Sequence, residues 1–197
     1  MKQTVVFDLG NVLVRFSPDF FLNKIFTDQK VIEACKKLYF TDLWNQFDQG
    51  LVTKEDLIEI GLKTYPNYRL EFEKMFASWF AYVQPIPSSM DVLETLKQRG
   101  VSIYFLSNIP KDCFDYFTKT YAWFKADKGV FSFAEKLCKP DLKIYQLLID
   151  RYQLNPEDCV FVDDRLENIE AAKQLGFSVV HCSDVTKLSE ELYEKIK

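Results

Sequence analysis

Apolar and polar positions along this chain change period more than once, and the changes mark its organisation. Residues 4–7, Thr-Val-Val-Phe, are β-branched and aromatic and predict a short strand that ends at Asp8, followed closely by Gly10-Asn11. From residue 15 to about 84 no run alternates. Apolar residues recur instead at helical spacing: Val31/Ile32, Cys35 and Leu38/Tyr39; Leu43, Trp44 and Phe47; Leu57, Ile58 and Gly61/Leu62; then Phe72, Phe76, Trp79, Phe80 and Val83. This predicts an early insertion of roughly four helices without a strand. Gly50 supplies a turn, and Thr53 with Asp56 reads as an N-cap followed by an acidic first turn. The aromatics Phe20, Phe21, Trp44, Phe47, Phe72, Trp79 and Phe80 are expected in the core of this bundle, with one or two at a substrate pocket.

Strands and helices alternate from residue 85 onward. Pro85 and Pro87 punctuate the exit from the bundle, and Ser88 or Ser89 is expected to cap a helix running to Arg99 and closed by Gly100. Strands are predicted at 101–106, 130–134, 159–162 and 178–181. The helices between them are predicted from about Pro110 to Thr120, from Pro140 with Tyr145, Leu148, Ile149 and Tyr152 on one face, and through Ile169, Ala172 and Leu175 to Gly176. Leu188, Leu192 and Ile196 give a final amphipathic helix. The alternation implies an α/β fold, a doubly wound parallel sheet of Rossmann-like type with helices on both faces. The expected division is a core of residues 1–14 and 86–197 and a helical cap of 15–85.

Composition narrows the classes of function. The net charge of −4 and the absence of a basic cluster argue against nucleic acid as partner. No apolar run approaches the length of a membrane span, and the early first strand argues against a signal peptide. The five cysteines, at 35, 113, 138, 159 and 182, contain no Cys-x-x-Cys pair and read as reduced thiols of a cytoplasmic protein. His181, the single histidine, is expected to be structural, so acid–base chemistry falls to carboxylates.

In such a sheet the strand ends carry the ligand site. Asp8 ends the first strand, Ser107-Asn108 the next and Asp163-Asp164 a third, while Lys139 stands at an expected helix start. Carboxylates gathered in one crevice repel unless a cation lies between them. Oxygen-only ligands suit Mg²⁺. A hydroxyl, an amide and a lysine beside that cation suit a phosphoryl group.

These residues resemble the motifs of the haloacid dehalogenase superfamily, in order: Phe7 to Leu13 (Phe-Asp-Leu-Gly-Asn-Val-Leu), Leu106-Ser107-Asn108, Lys139-Pro140 and Val162-Asp163-Asp164. The helical insertion resembles that of the C1-capped members. The Gly-Asn form of the first motif and the run from Asp163 to Asn168 look most like sugar-phosphate (glucose-1-phosphate-type) phosphatases and the epoxide-hydrolase N-terminal phosphatase domain. The resemblance implies a Mg²⁺-dependent phosphatase acting on a small phosphorylated metabolite such as a sugar phosphate. It makes Asp8 the nucleophile and Asp8, Gly10 (by its carbonyl) and Asp164 metal ligands, with Asp163 beside them directly or through water. Ser107 and Asn108 would hold phosphate oxygens, Lys139 would offset charge, and Asn168 would orient the acidic pair. Arg15 and Arg165 are expected in surface salt bridges. The departure is Gly10, which stands where most family phosphatases carry a second, acid–base Asp. Two rivals remain: a metal-free dehalogenase, and a domain that binds a phosphorylated ligand without turnover.

Overall fold

The computed structural model describes residues 4–196. Its central sheet is all parallel, with β1 (Thr4–Phe7) in the middle. β4 (Ser102–Ser107) and β5 (Gly129–Phe131) lie on one side of it, and β6 (Cys159–Asp163) and β7 (Ser178–His181) on the other. Side chains of β1 alternate between two cores. Val5 and Phe7 join the larger one, which runs without a break into the helical insertion. Val6 points to the opposite face, where Leu106, Phe161, Tyr145, Leu148 and Ile169 pack. A central parallel strand covered on both faces must be apolar throughout, as Val5, Val6 and Phe7, each fully buried, are.

The insertion consists of α1 (Pro18–Ile25), α2 (Gln29–Tyr39), α3 (Asp42–Asp48), α4 (Lys54–Thr64) and α5 (Arg69–Ser78), followed by a 3-10 turn over Trp79–Tyr82. Thr53 caps α4 in a reciprocal capping box with Asp56, as the sequence predicts. Trp44 is the hub of the aromatic packing, stacked on Phe40 at 4.5 Å and edge-on to Trp79 at 5.0 Å. Phe20, expected in this core, is instead 44% exposed on the outer face of α1.

The expectation of no strand in this region needs one correction. β2 (Val14–Arg15) pairs antiparallel with β3 (Gln84–Pro85), and Ile86 N–H continues the ribbon to the Leu13 carbonyl at 2.9 Å. Two residues per strand leave no period to read. The pairing exists because the insertion leaves and re-enters the sheet side by side.

The remaining helices are α6 (Pro87–Gln98), α7 (Lys111–Thr120), α8 (Ser132–Glu135), α9 (Leu142–Tyr152), α10 (Leu166–Gln174) and α11 (Leu188–Lys195). Pro87 opens α6, and Ser89 is no cap: it is fully buried and donates to the Val12 carbonyl at 2.6 Å, tying α6 to the turn after β1. The strand expected at 130–134 stops at Phe131, because Ser132 turns the chain into α8. The helix expected at Pro140 begins at Leu142 with Asp141 as its cap, and the Lys139–Pro140 bond is cis. Lys139 therefore precedes the helix and owes nothing to its dipole.

Candidate active site

β1, β4 and β6 all end at the same edge of the sheet, so the residues that follow them face one cleft. Asp8, Gly10, Ser107, Asn108, Lys139, Asp164, Arg165 and Asn168 line it from the sheet. The insertion closes it with Trp44, Asn45, Asp48 and Trp79. Arg15 lies outside, exposed on the ribbon.

Lys139 is the centre of charge. Its ammonium lies 2.8 Å from Asp8 Oδ1 and 2.6 Å from Asp163 Oδ2, and all three side chains are buried. Its main chain is clamped by Asn108, whose side chain accepts from Lys139 N–H at 2.8 Å and donates to the Lys139 carbonyl at 3.0 Å. The loop after β4 thus positions the lysine. Burial works against the ammonium, but Asp163 and Asp8 outweigh it and hold Lys139 above its usual range.

Asp163 uses both of its oxygens internally. Oδ2 takes Lys139, and Oδ1 accepts from Arg165 N–H and from Asn168 Nδ2, each at 2.9 Å. Asp164 is the more open of the pair. Asn11, with φ of 53°, donates to Asp164 Oδ2 at 3.1 Å and accepts from Phe16 N–H at 3.1 Å. Asparagine tolerates that left-handed backbone better than most residues. His181 Nε2 lies 3.0 Å from the Asp164 carbonyl, a structural contact at the rim. Arg165 Nε pairs with Glu167 at 2.7 Å, at the mouth of the cleft.

Oxygens of Asp8, Asp163 and Asp164 lie within 4.8 Å of one another. One ammonium does not neutralise this group. Burial pushes Asp8 up to about 7; Lys139 opposes the shift and Asp163 and Asp164 add to it. Asp164 is raised as well, chiefly by burial and against the Asn11 hydrogen bond. A hard cation among all-oxygen donors reverses this imbalance, and the donor set fits Mg²⁺.

The sign of the pH dependence follows. An unfolded Asp loses its proton near about pH 3.9, whereas folded Asp8 keeps it to about 7, so between those values metal-free stability falls as pH rises. In EDTA the denaturant midpoint should be lower at about pH 8 than at about pH 5, with a flatter profile for Asp8→Asn. A profile unchanged by that substitution would contradict the assignment.

Two cleft residues escape sequence reasoning. Asn11 carries a usable signal, since Gly10-Asn11 after a strand marks a special backbone. Asp48 carries none, lying among the many acidic residues of the helical region.

Comparison with known proteins bears on the family and the fold. A family model described as haloacid dehalogenase-like hydrolase matches residues 2–176. The chain is 28% identical over 201 residues to a sesquiterpene phosphatase of Aspergillus oryzae, covering 98% of this chain and 96% of that protein. It is 26% identical over 191 residues to a phosphorylated carbohydrates phosphatase of Thermotoga maritima, covering 91% and 86%. A Bacteroides thetaiotaomicron enzyme of the family, solved with magnesium and inorganic phosphate, superposes with a TM-score of 0.69 at 22% identity over 90% of this chain and 92% of its own, and shares the fold. Among the described residues no helix is long and apolar enough to cross a membrane. This chain belongs to the haloacid dehalogenase-like hydrolases.

Proposed function

We propose that this enzyme hydrolyses a phosphate monoester of an apolar alcohol through an aspartyl phosphate on Asp8. The observation that carries the reading is the carboxylate of Asp8 at the end of β1, lining the cleft and paired with a buried lysine at 2.8 Å. Lys139 opposes the burial that protonates Asp8, favouring the ionised form for attack, and offsets charge on the phosphoryl group. Ser107 and the main chain of Asn108 take its oxygens, and Asn168 and Lys139 fix Asp163 behind them. Asp8, Asp164 and the Gly10 carbonyl are the ligands for Mg²⁺, with Asp163 a buried support. Bound there, the cation offsets charge that collects on the phosphoryl oxygens. Residues 15–85 act as the cap that covers the cleft.

The walls speak for the alcohol. Phe16, Trp44, Trp79, Val83, Ile109 and Phe117 line the same cleft as Asp8 and Lys139. The Trp79 N–H, Asn45 and Asp48 offer a sugar only a few partners among these walls, so most of its hydroxyls would be buried unpaired, whereas an isoprenoid or aryl group has no hydroxyls to pair. The likeness to a sesquiterpene phosphatase over nearly the whole chain supports this choice.

Phosphate release from a terpenyl phosphate, an aryl phosphate and glucose 1-phosphate, with Mg²⁺ and with EDTA, tests the reading. Mg²⁺-dependent release, with kcat/KM highest for the apolar esters, is expected. Preference for the sugar ester would overturn the substrate class. Halide release from a 2-haloacid in EDTA, without phosphatase activity, would overturn the reaction.

A further inference from the structure

One carboxyl group in the cleft has no part in the chemistry above. Asp48 ends α3, in the insertion, yet lines the same cleft as Asp8, Ser107 and Lys139. Among the described residues its carboxylate has no hydrogen-bond partner, although its main chain is firmly held. Ser132, fully buried, donates its hydroxyl to the Asp48 carbonyl and accepts from Ile109 N–H at 2.9 Å. Lys136 donates to the Gly50 carbonyl. Gly50 has φ of 64°, and a Cβ there would lie 2.8 Å from the Phe133 carbonyl oxygen. The end of α3 is therefore docked on the segments that follow β4 and β5, which start beside Ser107 and lead to Lys139.

Position 10 offers no acid to the leaving group. A Cβ on Gly10 would meet nothing nearer than 4.0 Å, so the space that a side chain there would enter is open. The geometry points to Asp48 as the general acid and base of this site, working from the insertion where residue 10 has no side chain. The inference rests on Asp8 being the nucleophile. Burial holds the Asp48 carboxyl well above the ordinary carboxylate range; Asp8 adds to this, and Arg165 and Lys139 oppose it. Its other titratable neighbours, Cys113 and Cys138, are thiols whose burial raises their own pKa, to about 12 for Cys138. The environment thus favours the protonated acid.

In the first half-reaction an Asp8 oxygen bonds to phosphorus, the bond from phosphorus to the ester oxygen breaks, and the departing oxygen takes the Asp48 proton. The products are the alcohol, the aspartyl phosphate and ionised Asp48. In the second, Asp48 takes a proton from water while the water oxygen bonds to phosphorus. The bond from phosphorus to Asp8 breaks, releasing inorganic phosphate and regenerating both side chains.

The test compares wild type, Asp48→Asn and Asp48→Asn/Gly10→Asp with Mg²⁺ on an alkyl phosphate and on p-nitrophenyl phosphate, whose leaving group needs no proton. For Asp48→Asn, alkyl phosphate turnover should fall by about 100-fold. The nitrophenolate burst should keep its rate and an amplitude near one per enzyme, followed by slow steady-state release, and that burst also reports an intact fold. The alkaline fall of wild-type kcat/KM on the alkyl ester should be missing from the variant, and Gly10→Asp should restore part of the lost turnover. Equal losses in burst rate and alkyl turnover, or no loss in either, would overturn the assignment. A wild type that releases phosphate from no ester would instead overturn the phosphatase reading itself.

Discussion

Asp8→Asn should reduce phosphate release by on the order of 10⁴-fold or more while making the metal-free protein more stable above about pH 7. The two effects have one cause. Asp8, the proposed nucleophile, is held in a buried cluster that resists its charge, pushed up to about 7 by burial against the pull of Lys139. An amide of the same shape removes the attacking oxygen and also one of three clustered carboxylates. Thermal melts in EDTA and phosphate release with Mg²⁺, measured on the same preparation, check both halves. Lost activity with lower stability would mean that the Lys139 ion pair outweighs the repulsion. Retained activity would remove Asp8 from the mechanism.

Lys139→Met should produce the largest loss of stability. Its side chain is about as long but carries no charge, and it leaves Asp8 and Asp163 buried without their cation. Breaking a buried pair in this way costs about 3–5 kcal/mol. For a chain of this size the melting temperature should drop by roughly 6 to 20 °C. Mg²⁺ should recover part of the loss, because it supplies positive charge to the same oxygens. Adding Asp8→Asn should recover part of it without metal, since the double variant removes both sides of one ion pair. A Lys139→Met protein as stable as wild type in EDTA would show that the cluster is far better solvated than its burial indicates.

Much of this architecture is legible in the order of residues. The strand Thr4–Phe7, the capping box at Thr53, the left-handed turn at Gly100 and the strand Cys159–Asp163 all lie where local pattern places them. Each depends on interactions within a few residues: β-branched runs, a side chain reaching three residues on, a glycine free to adopt positive φ. The elements that differ from expectation depend on distant partners. Ser89 has the composition of a cap but is drawn into the core by the Val12 carbonyl, 77 residues away. The ribbon of Val14–Arg15 with Gln84–Pro85 is too short to show a period and forms because both ends of the insertion meet there.

The same division holds at the site. Residue order alone puts carboxylates, a hydroxyl and an amide at the ends of parallel strands, because a doubly wound sheet brings all its strand ends to one edge. It determined too that residue 10 would lack an acid. Folding spends both Asp163 oxygens on Lys139, Arg165 and Asn168, leaving Asp164 the more open carboxylate. It also walls the cleft with Phe16, Trp44 and Trp79 and brings Asp48 to it from the insertion. Hydrogen-bond pairing and desolvation belong to neighbours in space, which need not be neighbours in the chain. Asp8 and Asp48 lie 40 residues apart in the chain, and no local pattern records that folding brings them to one cavity.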